Sequence, residues 1–470
     1  MATQCNQESF EFHPLAKREV RGRFDGGALT SDAGGLLLRE VEKRTGIMAQ
    51  FAACFTDHRH PERIEHTAKE LVAQRVYALA LGYEDLNDHD PLRHDPLLAV
   101  LAEKEDPTGE SRVRERDQGK ALAGKSTLNR LELTGEGVSE EERYKKIVMD
   151  EAAVDRMLVK VFLAAHGEPP PEIVLDLDAP DDPVHGNQEG RFFHGYYGHY
   201  CYLPLYLFCG EHLLGARLRP SNIDASAGCL EEVQRVVTAI RQTWPEVPIT
   251  LRGDSGFCRE ELMACCEAHQ VDYLLGLAKN ERLKAEIAPE LEQAAAEYAA
   301  TGKPTRRFRE FLYQTRESWS RARRVVAKAE HLEKGSNPRF VVTSLAAEAW
   351  AARCLYEELY CARGEMENRI KEQLMLFSDR TSTAFLRSNQ IRLYFSSVAY
   401  VLMEALRRLG LKQTELAAAQ ASTIRLKRLK IGALIRITGR RVWLSLAGGY
   451  PYVDLFRQVY AQLRLLPLRC

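Results

Sequence analysis

Hydrophobic residues recur along this chain at two spacings. Ile64, Ala68, Leu71, Val72, Val76 and Leu79 fall on one helical face, and Leu230, Val233, Val236, Val237 and Ile240 do so between Cys229 and Trp244, where Pro245 ends the run. Ile391, Phe395, Val398, Leu402, Ala405 and Leu409 form a third such stripe. Between these helices the period shortens to two. Ile173, Leu175 and Leu177 alternate with Val174, Asp176 and Asp178 until Pro180, which predicts a strand with one apolar side and two acids on the other. Residues 190–198 and 200–209 read as two further strands and 213–219 extends the meander. A helix over 229–244, a strand over 249–257 running into a glycine-flanked turn, a helix over 259–269 and a strand over 271–277 follow.

Three strands, helix, strand, helix, strand is the order of a ribonuclease H-like α/β core, in which the first strand is central and the fourth lies beside it. Asp178 and Asp254 then fall at adjacent strand ends. Ionised carboxylates on a central strand are costly unless paired or holding a metal, so Asp178 is the first candidate ligand. The alternative for Asp178 is a solvated strand end, and for Asp254 a helix N-cap. A third acid is expected from a helix over 346–377, where Tyr360, Arg363, Glu367 and Lys371 are spaced by three, four and four along one face. The alternative is a solvated ion-pair stripe. Glu365 points elsewhere.

Composition changes this picture little. The 470 residues exceed one core, and 45% hydrophobic with 28% charged residues is ordinary for a globular protein. Residues 1–165 read as a mostly helical N-terminal region, 171–280 as the first part of the core after the Glu168-Pro-Pro-Pro171 linker, 281–345 as a β-rich insertion with a basic face, 346–385 as the last core helix, and 386–470 as a helical, basic C-terminal region. From Ile424 the chain carries Arg425, Lys427, Arg428, Lys430, Arg436, Arg440 and Arg441 without an acid, a footprint for a polyanion in a protein of net charge −1.

Eleven cysteines without a C-x-x-C pair argue against structural zinc and for reduced thiols in a cytoplasm. No apolar signal region and no membrane-length run is present. Asp57-His-Arg-His60 lacks the partner spacing of a metal site. Gly119-Lys-Ala-Leu-Ala-Gly-Lys-Ser126 matches the phosphate-loop pattern. The preceding charged residues 111–118 cannot be the buried strand that such a loop needs, so no nucleotide is expected. Lys120, Lys125 and Arg130 make the same loop suited to DNA phosphates.

Leu175-Asp-Leu-Asp-Ala-Pro-Asp-Asp-Pro-Val-His-Gly-Asn-Gln-Glu189, Leu251-Arg-Gly-Asp-Ser-Gly-Phe257 and Tyr360-Cys-Ala-Arg-Gly-Glu-Met-Glu-Asn-Arg-Ile-Lys-Glu372 together resemble a DDE transposase of a bacterial insertion sequence, of family thirteen-eighty within the family-four-like group. The resemblance runs over nearly the whole chain. It implies an α/β, ribonuclease H-like catalytic core flanked by helical N- and C-terminal DNA-binding regions. Asp178, Asp254 and Glu367 would be the catalytic, metal-binding triad, with two Mg2+ ions for which Mn2+ can substitute. Tyr360 and Arg363 fit the Tyr-x-x-Arg-x-x-x-Glu signature that handles DNA near the cut end; Lys371 and Arg252 complete the DNA-contacting set. The implied partners are double-stranded DNA, as terminal inverted repeats and target, and a second copy of the chain in a homodimer, associated with the bacterial nucleoid. Water would first expose a transposon 3′-OH, which then attacks the opposite strand or the target, with a hairpinned end or a similar double-strand break on excision. Two positions depart from the pattern: Pro180 stands where Thr is usual, and Leu374 where Lys is, with Lys371 one turn earlier. A ribonuclease H-like nuclease without strand joining and a non-catalytic DNA-binding descendant share the same residues.

Overall fold

The computed structural model describes residues 9–468. The chain divides into two compact units, residues 150–397 and residues 1–149 with 398–470.

The unit of residues 150–397 is built on a nine-stranded mixed sheet. Its principal strands are β1 (Ile173–Asp178), β2 (Leu205–Cys209), β3 (His212–Arg217), β4 (Ile249–Gly253), β5 (Asp272–Leu277), β6 (Thr305–Tyr313), β7 (Arg323–Leu332) and β8 (Arg339–Thr343). They lie in the order β3-β2-β1-β4-β5-β8-β7-β6, and the short strand Gly335–Ser336 pairs with β7. β1, β4 and β5 run parallel, and β2 runs antiparallel to β1. The first strand is therefore interior and the fourth beside it, as the order of elements predicts.

Alternation along the strands builds two different faces. Ile173, Leu175, Leu177, Ile249, Leu251, Tyr273 and Leu275 enter one core with helices α1 (Glu151–Ala164), α2 (Cys229–Thr243) and α3 (Glu260–Ala268), through residues such as Phe162, Val236 and Met263. Leu274, Val326 and Val341 point to the opposite face, where Leu355 and Tyr356 cover them. Asp176 and Arg252 also lie on that second face, opposite each other in the β1–β4 register. Their side chains form a buried bidentate pair, Arg252 Nε and Nη2 donating to the two Asp176 oxygens at 2.7 Å, and Nη1 donates to the Leu359 carbonyl at 2.6 Å. Burial holds the Asp176 carboxyl above its usual range although the guanidinium pulls it down.

The structure differs from the sequence reading in several places. Residues 190–209 do not supply two core strands: Phe192–His194 and His199–Tyr202 belong to a separate three-stranded sheet with Asp182–Pro183, and only β2 continues into the main sheet. Pro204, which has no N–H to donate, stands at the break. Residues 305–343 are not a separate β-rich piece but extend the main sheet through the β5–β8 pairing, because Val325, Val326, Val341 and Val342 are buried on both faces. The basic face expected there is largely neutralised, since Arg306, Arg307, Arg309, Arg321, Arg323, Arg324 and Lys328 each lie within ion-pair distance of a glutamate. Helix α1, expected with the N-terminal region, packs on β3 and is tied to it by Arg217, which pairs with Glu151 and Asp155.

In the other unit the beginning and end of the chain share one sheet, Arg441–Leu446 pairing with Ala433–Thr438 and that strand with Ala28–Thr30. A Cβ on Gly34 would lie 1.8 Å from the Arg428 carbonyl oxygen, so only glycine permits this approach. The helix Ala68–Leu81 starts on a capping box of Thr67 and Glu70. Part of the expected C-terminal polyanion footprint is used internally. Arg425 donates to the Leu79 and Ala80 carbonyls, Arg428 is fully buried against Tyr450 and Tyr452, and Lys430 pairs with Asp32. Arg436, Arg440 and Arg441 remain exposed. Among the described residues no helix is long and apolar enough to cross a membrane.

The Asp176–Arg252 pair makes a direct prediction. Arg252→Met leaves a buried carboxylate alone and should lower unfolding free energy by about 3–5 kcal/mol, whereas Asp176→Leu with Arg252→Met should recover most of it. Urea denaturation of the two variants measures both values.

Candidate active site

The β1–β4 register places Arg252 beside Asp176, so two residues further on Asp178 and Asp254 leave the same end of two adjacent parallel strands. Asp178 is the last residue of β1 and its side chain is 19% exposed. One of its oxygens accepts the Ala179 N–H at 3.0 Å. Burial, opposed by Arg363 and reinforced by Asp254 and Glu367, pushes its pKa up to about 6. Asp254 caps the short 3-10 helix Ser255–Phe257, accepting the Gly256 N–H at 2.8 Å on Oδ1. The cap therefore engages one carboxylate oxygen, and the other has no hydrogen-bond partner among the described residues.

The segment covering this face is not one helix. Ala352–Cys354 is α-helical, Leu355–Tyr360 is a π-helix, Cys361–Arg363 a 3-10 turn, and α4 (Gly364–Met375) resumes the ordinary pitch. Wide turns of this kind concentrate at functional sites. Met366 and Ile370 bury the inner face of α4, which leaves Glu367 53% exposed at its start. Arg363 and Glu367 do share a face, with Arg363 Nη2 3.6 Å from Glu367, while Nη1 lies 4.0 Å from Asp178. Burial weakens the Arg363 guanidinium's hold on its proton, but Asp178, Tyr360, Asp254 and Glu367 together raise its pKa.

Tyr360 lies on the π turn, and its phenol is pushed up by burial and by Asp254 against the pull of Arg363. A Cβ on Gly276 would stand 2.7 Å from the Tyr360 hydroxyl, 2.8 Å from the Ser255 nitrogen and 3.0 Å from the Asp254 carbonyl carbon. This glycine in the middle of β5 keeps room for the Asp254 turn and for Tyr360 at once. Asp254, Tyr360 and Arg363 line a cavity of about 550 Å³ together with Lys279, Arg339 and Tyr356. Those last three escape sequence reasoning, since they come from a strand end, a separate strand and a covering turn. Gly276 does carry a signal, a lone glycine inside a strand pattern.

Lys371 is exposed one turn beyond Glu367. Arg252 is a correction: a DNA contact is expected of it, but it is buried, with its guanidinium engaged by Asp176 and the Leu359 carbonyl. Pro180 and Leu374, the two departures from the motif pattern, line the same small cavity with Asp182. Burial pushes the Asp182 carboxyl up to about 8 despite a hydrogen bond from Thr381.

Three carboxylates in electrostatic contact, one of them desolvated, are the donor chemistry that a hard divalent cation takes. As they stand, no three His, Cys, Asp or Glu side chains among the described residues converge closely enough to hold one. Arg363 is the cation between Asp178 and Glu367.

The family description "Transposase DDE domain group 1" matches residues 12–468. The chain therefore belongs to the DDE transposase domain family, whose members cut DNA and transfer strands. Among curated proteins none matches it. A solved piggyBac transposase, in a synaptic complex with hairpin DNA, is similar at 11% identity and a TM-score of 0.37 over 94% of this chain and 86% of that one.

Two outcomes follow. A divalent cation taken by Asp178 would require that carboxylate ionised, so any Mg2+ affinity measured by calorimetry should be level above about pH 6 and fall about tenfold per unit below it, a dependence that Asp178→Asn removes. Because its folded pKa exceeds the ~3.9 of an unfolded Asp, this group favours the folded state most below about pH 4 and loses that contribution as pH rises through 6. Gly276→Ala should displace the Asp254 turn and lower DNA cleavage about 100-fold while the circular dichroism spectrum is retained.

Proposed function

We propose that this protein is a transposase with a ribonuclease H-like catalytic core, which binds the terminal inverted repeats of an insertion sequence, cuts them and joins them to a target. The observation that carries the reading is the exit of Asp178 and Asp254 at one end of two adjacent interior parallel strands, under the segment that presents Glu367. The order β3-β2-β1-β4-β5, with only β2 reversed between β3 and the parallel strands, supports the core assignment.

Asp178, Asp254 and Glu367 would hold Mg2+, for which Mn2+ can substitute. When bound, such ions stabilise the charge on the attacking and leaving oxygens of an in-line phosphoryl displacement. The residues of the chain do the rest. Strand register sets the separation of the Asp178 and Asp254 backbones, and the cap on Gly256 anchors one Asp254 oxygen. Arg363 neutralises the acids in the absence of a cation, and its fork suits a phosphate oxygen when DNA enters. Tyr360, seated over Gly276, bounds the cavity next to the reacting end. In the first step water attacks a phosphodiester and a 3′-OH leaves; in the second that hydroxyl attacks a target phosphodiester, whose own 3′ oxygen leaves. A homodimer that pairs two ends completes the proposal.

The test is a cleavage and strand-transfer assay on a duplex carrying the repeat of the element's own end, with Mg2+ or Mn2+. Asp254→Ala should lose at least 1,000-fold of cleavage and all joining, an effect of the order seen for charge-stabilising groups. Parent-level cutting and joining by that variant would falsify the reading. A pre-cut end that is never joined, with cleavage intact, would assign the chain to the nucleases.

A further inference from the structure

In the unit of residues 1–149 and 398–470 there is a cavity of about 470 Å³ that the acids do not explain. Its lining is cationic. Arg63, Arg93, Arg114, Lys120 and Arg130 contribute to it, and none has a carboxylate within ion-pair distance among the described residues. The three acids in its wall are already paired, Glu65 and Asp117 with Arg112 and Asp90 with Lys125.

The deepest polar group there is His66, 6% exposed. Arg112 Nη1 lies 3.1 Å from His66 Nε2, and since arginine only donates, Nε2 accepts and the proton resides on Nδ1. Burial, with Lys104, Arg112 and Arg59 nearby, pushes the ring pKa down to about 3, so it is neutral. That Nδ1–H, with Arg93 Nε and Arg112 Nε, is buried without a hydrogen-bond partner. Buried unsatisfied donors cost about 1–3 kcal/mol each, a cost that an anionic oxygen removes.

The loop from Gly119 to Ser126 lines this same cavity. A short 3-10 helix, Glu115–Asp117, precedes it, so it lacks the strand of a nucleotide loop. A Cβ on Gly124 would stand 2.9 Å from Asp90 Oδ1 and 3.1 Å from Arg93 Nη1, so the chain passes close beside both side chains here.

We propose that this cavity is a phosphodiester seat for the DNA backbone, a contact separate from the acid cluster, with His66, Arg93 and Arg112 at its floor and Arg63, Arg114 and Arg130 on its exposed rim. The proposal rests on the transposase reading for the presence of DNA. Unpaired cations spread over a rim fit successive backbone phosphates better than one compact nucleotide.

The test uses full-length protein and fluorescence anisotropy with a labelled duplex over a range of salt. Arg114→Ala with Arg130→Ala, both exposed, should weaken binding at least tenfold and reduce the slope of log affinity against log salt by about 2, while Lys160→Ala, which removes an exposed cation from helix α1, binds as the parent does. His66→Gln should weaken binding without changing that slope. If the double variant keeps the parent's affinity and slope while the parent cuts DNA, the seat is wrong and the transposase reading stands. If the double variant loses affinity but the parent never cuts or joins, the seat stands and the transposase reading falls. Displacement of the duplex by millimolar ATP or pyrophosphate at the ionic strength of a chloride control would give the cavity to a nucleotide instead. A parent that binds no DNA would overturn both.

Discussion

The buried pair of Asp176 and Arg252 sets the frame in which the acids stand. Two charges inside a sheet are tolerated because each is fully engaged, the carboxylate by two guanidinium nitrogens and the third nitrogen by the Leu359 carbonyl. The pair joins two parallel strands at matching positions and reaches up to the covering segment. Strand register, β4 against β1, then determines where Asp178 and Asp254 emerge. A slip of β4 by one residue would send Asp254 to the opposite face, away from Asp178.

From this frame the rest of the site follows by steric fit. Gly276 is the gap between the Asp254 turn and the Tyr360 hydroxyl, and the π turn brings the chain to Arg363 at the head of α4. Arg363 lies between carboxylates that would otherwise repel one another; burial raises the proton affinity of Asp178, with Arg363 pulling it down and Asp254 and Glu367 adding to the rise. An arginine in this position offsets the repulsion between Asp178 and Glu367.

Positive charge is distributed unevenly in a way that composition hides. Along 306–328 nearly every cation has a glutamate, and around 425–430 the cations face carbonyls, rings or Asp32. Around His66, Arg93 Nε and Arg112 Nε are buried with unmet donors, and Arg63, Arg114, Lys120 and Arg130 have no carboxylate within ion-pair distance among the described residues. Pro180 and Leu374 show a related effect on the apolar side. Far apart in the chain, they line one cavity beside a carboxyl that burial keeps protonated, so the two departures from the motif occupy a common space.

The alternation of Ile173 to Asp178, the order of strands and helices, and the acids Asp178, Asp254 and Glu367 were legible in the residues, because period and turn chemistry are local. The break at Pro204, the extension of the sheet by β6 to β8 and the joining of residues 28–30 to 433–446 were not, because strand pairing is chosen by long-range burial. Arg252 reads as a DNA contact from its motif; only the neighbouring strand, which places Asp176 beside it, shows it as an inner ion pair. Period, spacing and motif single out Asp178, Asp254 and Glu367 as candidates because these signals are local. The tertiary structure decided which charges are already satisfied, since an ion pair between residues 76 positions apart leaves no trace in spacing.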